Sequence, residues 1–240
     1  MYDWLIVPVY NEENRIKEFL YESDKYDIDF VFVVDGTDKT LDILREHQQT
    51  QLTRKKRAIS IITSETRLGK GGAIKLGLKH IHDTSIGVLR GDPPCVGYID
   101  VDLSTQITEL LKMFDSLKNS KCDAIIGTRW SHGSLIITQQ PFLRKVMSRL
   151  LNKFVRLYFN VDITDTQCGA KVFRLLPFYS TTNQMITTGF EFDVELLWRM
   201  KQNGYTICEF PVIWRNYTKD SKVKITCAFG MLKNLIKLKF

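Results

Sequence analysis

Long apolar runs are missing from this chain. No stretch of eighteen uncharged apolar residues occurs among its 240, so nothing in it reads as a membrane-spanning helix. The first ten residues, MYDWLIVPVY, carry neither a basic leader nor a small-residue cleavage site, and read as an early strand rather than a signal peptide. Cysteine is sparse and scattered. The five cysteines (Cys95, Cys122, Cys168, Cys208, Cys227) are odd in number and form no CxxC or Cys/His ligand spacing, which argues against disulfides and zinc and for a reducing cytoplasm. Repeats, low-complexity tracts and linkers are absent as well, so the chain reads as one domain, residues 1–240, with a distinct C-terminal third. Acidic residues are outnumbered, 27 against 34 basic, and the net charge of +7 favours an anionic partner. Composition does not choose among phosphates, nucleic acid and an acidic membrane surface.

What is present is an alternation. Residues 4–9, 29–35, 57–63, 95–101 and 123–127 are short β-branched or aromatic runs with polar boundaries, the pattern of buried strands. Between them, residues 11–24, 38–48, 70–82 and 105–118 space apolar groups at i, i+3, i+4, as helices do. Strands alternating with helices predict an α/β fold, a mostly parallel sheet with helices on both faces, whose ligand site lies at the carboxyl ends of the strands. After residue 130 the rhythm changes. Residues 142–160 read as a long helix with Arg144, Lys145, Arg149, Lys153 and Arg156 among large apolar groups, followed by a strand (170–174), a helix (190–203), a strand (206–213) and a basic stretch (222–240).

Four strand ends carry chemistry. GYIDVDLSTQ (97–106) places Asp100 and Asp102 two apart, so in a strand both carboxylates would face one side and call for a cation. Paired carboxylates of this kind suit Mg2+ or Mn2+, which complete their shells with substrate phosphates. VPVYNEEN (7–14) follows a Pro that cannot continue a central ladder with Tyr10, Asn11 and Glu12. VVDGTDKT (33–40) ends its strand on Asp35, and RLGKGGAIKLGL (67–78) sets Lys70 among glycines at a helix start, where anions are favoured. Together they fit a nucleotide diphosphate.

These motifs, with IGTRW, DTQCGAKVFR, GFEFDVELL and the late SKV in the same order, resemble glycosyltransferase family 2 over nearly the whole chain. Within it the likeness is to the polyprenyl-phosphate hexosyltransferases, the branch of dolichyl-phosphate glucosyltransferases and dolichol-phosphate mannose synthases. The resemblance implies a GT-A fold, with residues 1–130 binding the nucleotide sugar and 131–240 the acceptor beside a membrane. By position, Pro8, Tyr10, Glu12 and Asp35 would hold base and ribose, Lys70 would sit by the nucleotide, and Asp100 and Asp102 would serve ribose, diphosphate and metal, Asp102 being the better metal ligand. Asp165 and Gln167 fall where relatives place a residue near metal or acceptor. Ser104 stands where some relatives carry a Gln ligand.

The acceptor decides the remaining chemistry. A hydroxyl needs a base, and Glu191 and Asp193 are the candidates, with helix capping as their alternative duty. A lipid phosphate arrives ionised and needs cations, for which Arg129, Arg144 and Lys145 are available. On this reading the catalytic residues are Asp102, Arg129 and Asp165. The expected reaction is inverting transfer of glucose from UDP-glucose, or mannose from GDP-mannose, to a polyprenyl phosphate. Transfer to a glycan hydroxyl and a non-enzymatic membrane or nucleic-acid binder are the competing readings, and the second leaves Asp100 and Asp102 beside Lys70 and Glu12 without a purpose. Residues 225–240 combine apolar groups with Lys233, Lys237 and Lys239 in a pattern suited to a headgroup layer, and RKKR (54–57) reads as a solvated loop. The expected location is the cytoplasmic face of a membrane, held peripherally or by a membrane partner protein, with no nucleic acid.

Overall fold

The computed structural model describes residues 3–52, 57–85, 94–138, 142–215, 230 and 234–238; the side chains of residues 52 and 142–144 lie outside that set. In chain order the elements are β1 (Trp4–Val9), α1 (Ile16–Ser23), β2 (Asp29–Val34), α2 (Thr40–Leu52), β3 (Ile59–Thr63), α3 (Gly69–Ser85), β4 (Cys95–Tyr98) and α4 (Ile107–Lys118). They continue as β5 (Ala124–Thr128), β6 (Leu135–Thr138), α5 (Phe142–Phe159), β7 (Lys171–Arg174), α6 (Leu175–Thr182), α7 (Phe192–Gln202), β8 (Ile207–Pro211) and β9 (Ile213–Arg215). Seven strands form one sheet in the order β3-β2-β1-β4-β7-β5-β8, and β6 pairs β9 in a small second sheet. Only β7 runs antiparallel to its neighbours in the large sheet, β4 and β5.

Both faces of the sheet are covered, which is why strands such as DFVFVV are apolar without alternation. Phe19, Leu44 and Phe114 of α1, α2 and α4 pack on one face, and Ile74, Phe159, Phe178 and Leu196 of α3, α5, α6 and α7 on the other. The alternation predicted from sequence is therefore the alternation found. The differences are local. Strand pairing of β1 with β4 stops at Ile6, so Pro8 continues β1 beside β2 without breaking a rung on its other side. The helix expected from residue 11 starts only at Ile16, because Asn11 takes a left-handed φ of 53° and Glu12 to Arg15 form a turn. The strand expected over 206–213 is split between two sheets by Val212.

Cysteine spacing misled more seriously. Cys122 and Cys208 form a disulfide, joining the approach to β5 with β8, while Cys95 and Cys168 are buried thiols. The two partners are 86 residues apart in sequence, and only the parallel β5–β8 pairing, with Ile125 opposite Cys208, brings them together. Of the basic stretch at 222–240 only residues 230 and 234–238 are described: Lys237 is exposed there, but Leu235 is fully buried in the core and so does not face a headgroup layer, while Lys233, Lys239 and the SKV motif fall outside the described residues. Of RKKR only Arg57 is described, and it is no free loop charge, since its guanidinium pairs with Asp24 and meets the Phe30 ring.

Where α3 crosses α7, Gly71 leaves no room for a side chain. A Cβ there would lie 2.5 Å from the ring of the fully buried Phe192. Gly71→Ala should therefore destabilise the protein by about 1–3 kcal/mol, despite the better helix propensity of Ala, as measured by urea denaturation.

Candidate active site

The carboxyl ends of β1, β2, β4 and β5 and the start of β7 meet along one edge of the sheet, with the N-termini of α3 and α7 beside them. The last residue of β4 is Tyr98, so Asp100 and Asp102 lie in the turn that follows and not in the strand. They face one site because the turn carries them there. Leu103 adopts a φ of 52°, and Asp102 Oδ1 accepts a hydrogen bond from the Ser104 amide at 2.9 Å. Gly169 closes over the pair: a Cβ at that position would overlap Asp100 Oδ2, so DTQCG needs its glycine to let the loop approach the carboxylate.

Asp100 is the outer end of a chain of charges. Lys70 Nζ lies 3.0 Å from its Oδ1 and 3.7 Å from Asp193 Oδ2, and Asp193 Oδ1 accepts from Lys171 Nζ at 2.7 Å and from the Tyr98 hydroxyl at 2.5 Å. Lys171 is fully buried and also donates to the Cys168 carbonyl at 2.6 Å. The centroid of the Tyr98 ring lies 5.6 and 5.5 Å from the Lys70 and Lys171 ammonium groups. Burial opposes the Lys70 charge, but Asp100 and Asp193 override it and hold its pKa above the ordinary value. Burial likewise opposes charge on Asp193, yet Lys171 and Lys70 hold its carboxyl below the usual range. Although 42% of the Asp100 side chain is open, desolvation by the surrounding protein raises its pKa, with the Asp102 charge adding and Lys70 opposing.

The start of α3 differs from expectation. Its amides are already occupied, those of Leu68 and Gly69 by Asp35 Oδ2 at 2.8 and 3.2 Å, and that of Gly71 by the Thr188 carbonyl at 2.8 Å. The anion favoured at this helix N-terminus is the protein's own Asp35, buried behind it. Asp35 thus shapes the loop that carries Lys70. Tyr10 lies under the Arg67 guanidinium, 3.8 Å from the ring centroid, and Glu12 pairs with Arg15 at 2.5 Å. Asn11 ties the first two motifs together, its Oδ1 accepting from the Thr37 amide at 2.8 Å.

At the far end of the edge, Asp165 grips Arg129. The fully buried carboxylate accepts from Arg129 Nε at 2.6 Å, Nη2 at 2.8 Å and the backbone amide at 3.1 Å. Burial works against the Arg129 charge, and Asp165 more than restores it. The guanidinium lies 5.3 Å from both the Trp130 and the Trp214 rings, and the backbone beside Trp214 bonds the Asp102 turn, Arg215 donating to the Ser104 carbonyl at 2.8 Å. Gln167 is half-buried in the same loop. Lys145 is half-buried near the start of α5, and the Arg144 side chain lies outside the described residues.

Neither Glu191 nor Asp193 caps α7 with its side chain; Glu191 accepts from Asn234 Nδ2 at 3.2 Å, and Asp193 is inside the charge chain. Cys168 is a buried packing residue, and His47, His80 and His82 are engaged with Asp24, Ser60 and Tyr179. Sequence reasoning missed Lys171, Tyr98, Arg67, Trp130 and Trp214. A charged residue heading the short strand KVFR was the one available signal, for Lys171.

The donor set admits a hard cation on narrow terms. Among the described residues no cluster of three acidic, His or Cys side chains could hold a metal. Asp102 keeps Oδ2 without a hydrogen bond among the described residues, and Asp100 is shared with Lys70. One or two carboxylates with the rest of the shell left to phosphate and water is the arrangement Mg2+ and Mn2+ accept, so the residues fit.

Residues 4–182 match the family described as glycosyl transferase family 2. The chain is 28% identical over 231 residues to "Glycosyltransferase AglD" of Haloferax volcanii, which covers 92% of this chain and 34% of that protein. It is 30% identical over 250 residues to "Dolichyl-phosphate beta-glucosyltransferase ALG5A" of Trichomonas vaginalis, covering 98% of this chain and 72% of the relative. The fold is similar to glucosyl-3-phosphoglycerate synthase from Mycobacterium tuberculosis solved with UDP, at 14% identity and a TM-score of 0.65 over 98% of this chain and 77% of that one. The architecture is thus that of the GT-A glycosyltransferases.

Lys171→Met would leave Asp193 buried with one ammonium fewer. A loss of about 3–5 kcal/mol in urea denaturation is expected. Asp193 has a depressed pKa, so its contribution is present above about pH 4 and disappears as pH falls through the folded value; the acid limb of the stability profile should flatten in the variant.

Proposed function

The chain belongs to glycosyl transferase family 2 and is a glycosyltransferase, and from that premise we propose that it transfers a hexose, glucose in preference to mannose, from a nucleotide sugar to a polyprenyl phosphate of the dolichyl type. The observation that carries the choice of acceptor is that the buried acids near the site are spent. Asp193 is ion-paired to Lys171 and hydrogen-bonded by Tyr98, and Asp165 is held at both oxygens by Arg129. A carboxylate held below its usual pKa is a poor base for a hydroxyl, whereas an acceptor that arrives ionised needs none. Names of relatives such as the dolichyl-phosphate beta-glucosyltransferase point the same way.

In this reading the edge from Tyr10 to Asp102 receives the donor. Asp100 meets ribose or diphosphate, Lys70 lies beside the diphosphate, and Tyr10, Glu12 and Asp35 border the nucleoside with Pro8 behind them. Asp102, with Asp100, would hold Mg2+ or Mn2+, which supplies Lewis-acid stabilisation to the leaving diphosphate. The chain's own part is to keep Lys70 charged, through Asp193, as negative charge gathers there. Arg129 uses Nε and one Nη2 hydrogen on Asp165, and its remaining donors can face the acceptor phosphate with Arg144, Lys145 and Gln167. Attack from the side opposite the leaving group inverts the anomeric centre. Residues 1–130 serve the donor and 131–240 the acceptor, at the cytoplasmic face of a membrane, with or without a membrane partner. Among the described residues no helix is long and apolar enough to cross one.

Labelled UDP-glucose or GDP-mannose, incubated with the protein, Mg2+ or Mn2+ and a polyprenyl phosphate, should put label into the organic phase. Failure with every common sugar sinks the reading. EDTA and Asp102→Ala should each reduce transfer by about 100-fold or more while circular dichroism stays unchanged. Glu191→Gln, which would abolish transfer if that carboxylate were a base, should leave most of the rate.

A further inference from the structure

Asn152 stands on the core-facing side of α5, at i with Val155 at i+3 and Phe159 at i+7, and all three are buried. A carboxamide among apolar neighbours costs stability unless its bonding groups are used. Here they are used on one target. Nδ2 donates to the Thr164 carbonyl at 2.6 Å, and Oδ1 accepts from the Thr166 amide at 3.2 Å and from the Thr166 hydroxyl at 2.9 Å. The Thr164 carbonyl belongs to the peptide group before Asp165, and the Thr166 amide to the one after it. One side chain therefore holds both peptide planes that flank the Asp165 Cα, and the backbone there has little freedom to turn.

A second grip comes from β8. Glu209 Oε1 accepts from the Thr164 amide at 2.8 Å and from the Thr164 hydroxyl at 2.6 Å. With its proton given to Glu209, the Thr164 hydroxyl accepts from that of Thr128, 2.9 Å away at the fully buried end of β5. The next residue is Arg129. Both partners of the Arg129–Asp165 pair thus rest on one network.

We infer that Asn152 is a positioning residue for Arg129: by fixing the backbone on either side of Asp165, it aims the carboxylate that orients the guanidinium. A mere anchor for α5 would bond wherever the loop passes. This one brackets the single residue that takes three hydrogen bonds from Arg129. The functional consequence rests on the proposed acceptor reading, since a guanidinium held at one angle can offer paired donors to a phosphate. The positioning itself does not.

The test uses the full chain and two readouts. In nuclear magnetic resonance the Arg129 Nε–H signal, identified by its loss in Arg129→Gln, should exchange with solvent about tenfold faster in Asn152→Ala than in the parent. Thr166→Val, which removes one of the three Asn152 bonds and threatens the fold less, should shift it the same way by a smaller factor. With labelled nucleotide sugar and polyprenyl phosphate, Asn152→Ala should raise KM for the acceptor about tenfold and leave KM for the donor unchanged. A merely loosened fold would lower kcat and move neither. With Arg129→Gln already present, Asn152→Ala should add nothing to the acceptor KM. An unchanged Arg129 signal in both folded variants, an equal rise in the two KM values, or additive effects with Arg129→Gln would overturn the assignment. If the signal changes while Arg129→Gln itself leaves the acceptor KM unaltered, the positioning stands and the acceptor reading fails.

Discussion

Four charged side chains in a row, Lys171, Asp193, Lys70 and Asp100, hold together the edge where the strands end. Each inner member is flanked by charges of the opposite sign, and a buried ammonium such as Lys171 could not persist without them. The topology exists to make the row possible. Because β7 runs antiparallel, its first residue, Lys171, lies opposite the last residue of β4, Tyr98, at the same edge of the sheet. A parallel strand in that place would put its first residue at the other edge. Glycine at position 71 lets α3 settle on Phe192, and that approach brings Lys70 and Asp193 within 3.7 Å.

The row also divides labour along the edge. Its outer carboxylate, Asp100, is partly open beside Asp102, while Asp193 remains inside as a counter-ion. Toward β5 the same logic is repeated, with the carboxylate of Asp165 fully buried against the nearly buried Arg129, whose guanidinium lies 5.3 Å from the rings of two tryptophans. The two sides are mechanically joined, since Thr105 bridges Trp214 and Ser104 accepts from the Arg215 amide. A shift of the Asp102 turn would be felt by the ring that stacks on Arg129.

Much of the fold was legible because its signals are local. Strands buried on both faces read as apolar runs, and helices that cover them read as amphipathic ones, so Trp4–Val9, Gly69–Ser85 and Ile107–Lys118 were found within a few residues. The missed features are pairings across the chain. Lys171 and Asp193 are 22 residues apart, Tyr98 and Asp193 are 95 apart, and the bonded Cys122 and Cys208 are 86 apart; no spacing rule connects them. Asp35 shows the same limit. Its place at a strand end was legible, but its hydrogen bonds from the Leu68 and Gly69 amides, 33 and 34 residues on, were not.

Backbone strain at the edge completes the picture. Leu103 is a branched, non-glycine residue held in a left-handed conformation, which costs about 1–2 kcal/mol, and its side chain is buried in the core to offset that cost. The consequence falls on its neighbour. With Leu103 anchored, Asp102 closes an Asx turn on the Ser104 amide, so one carboxylate oxygen fixes the shape of the loop and the other is kept for what binds there. Replacing Leu103 with glycine would relieve the strain and remove the anchor together. The position therefore uses its poor conformational fit, since the rigid turn is what aims the second oxygen of Asp102 away from Ser104.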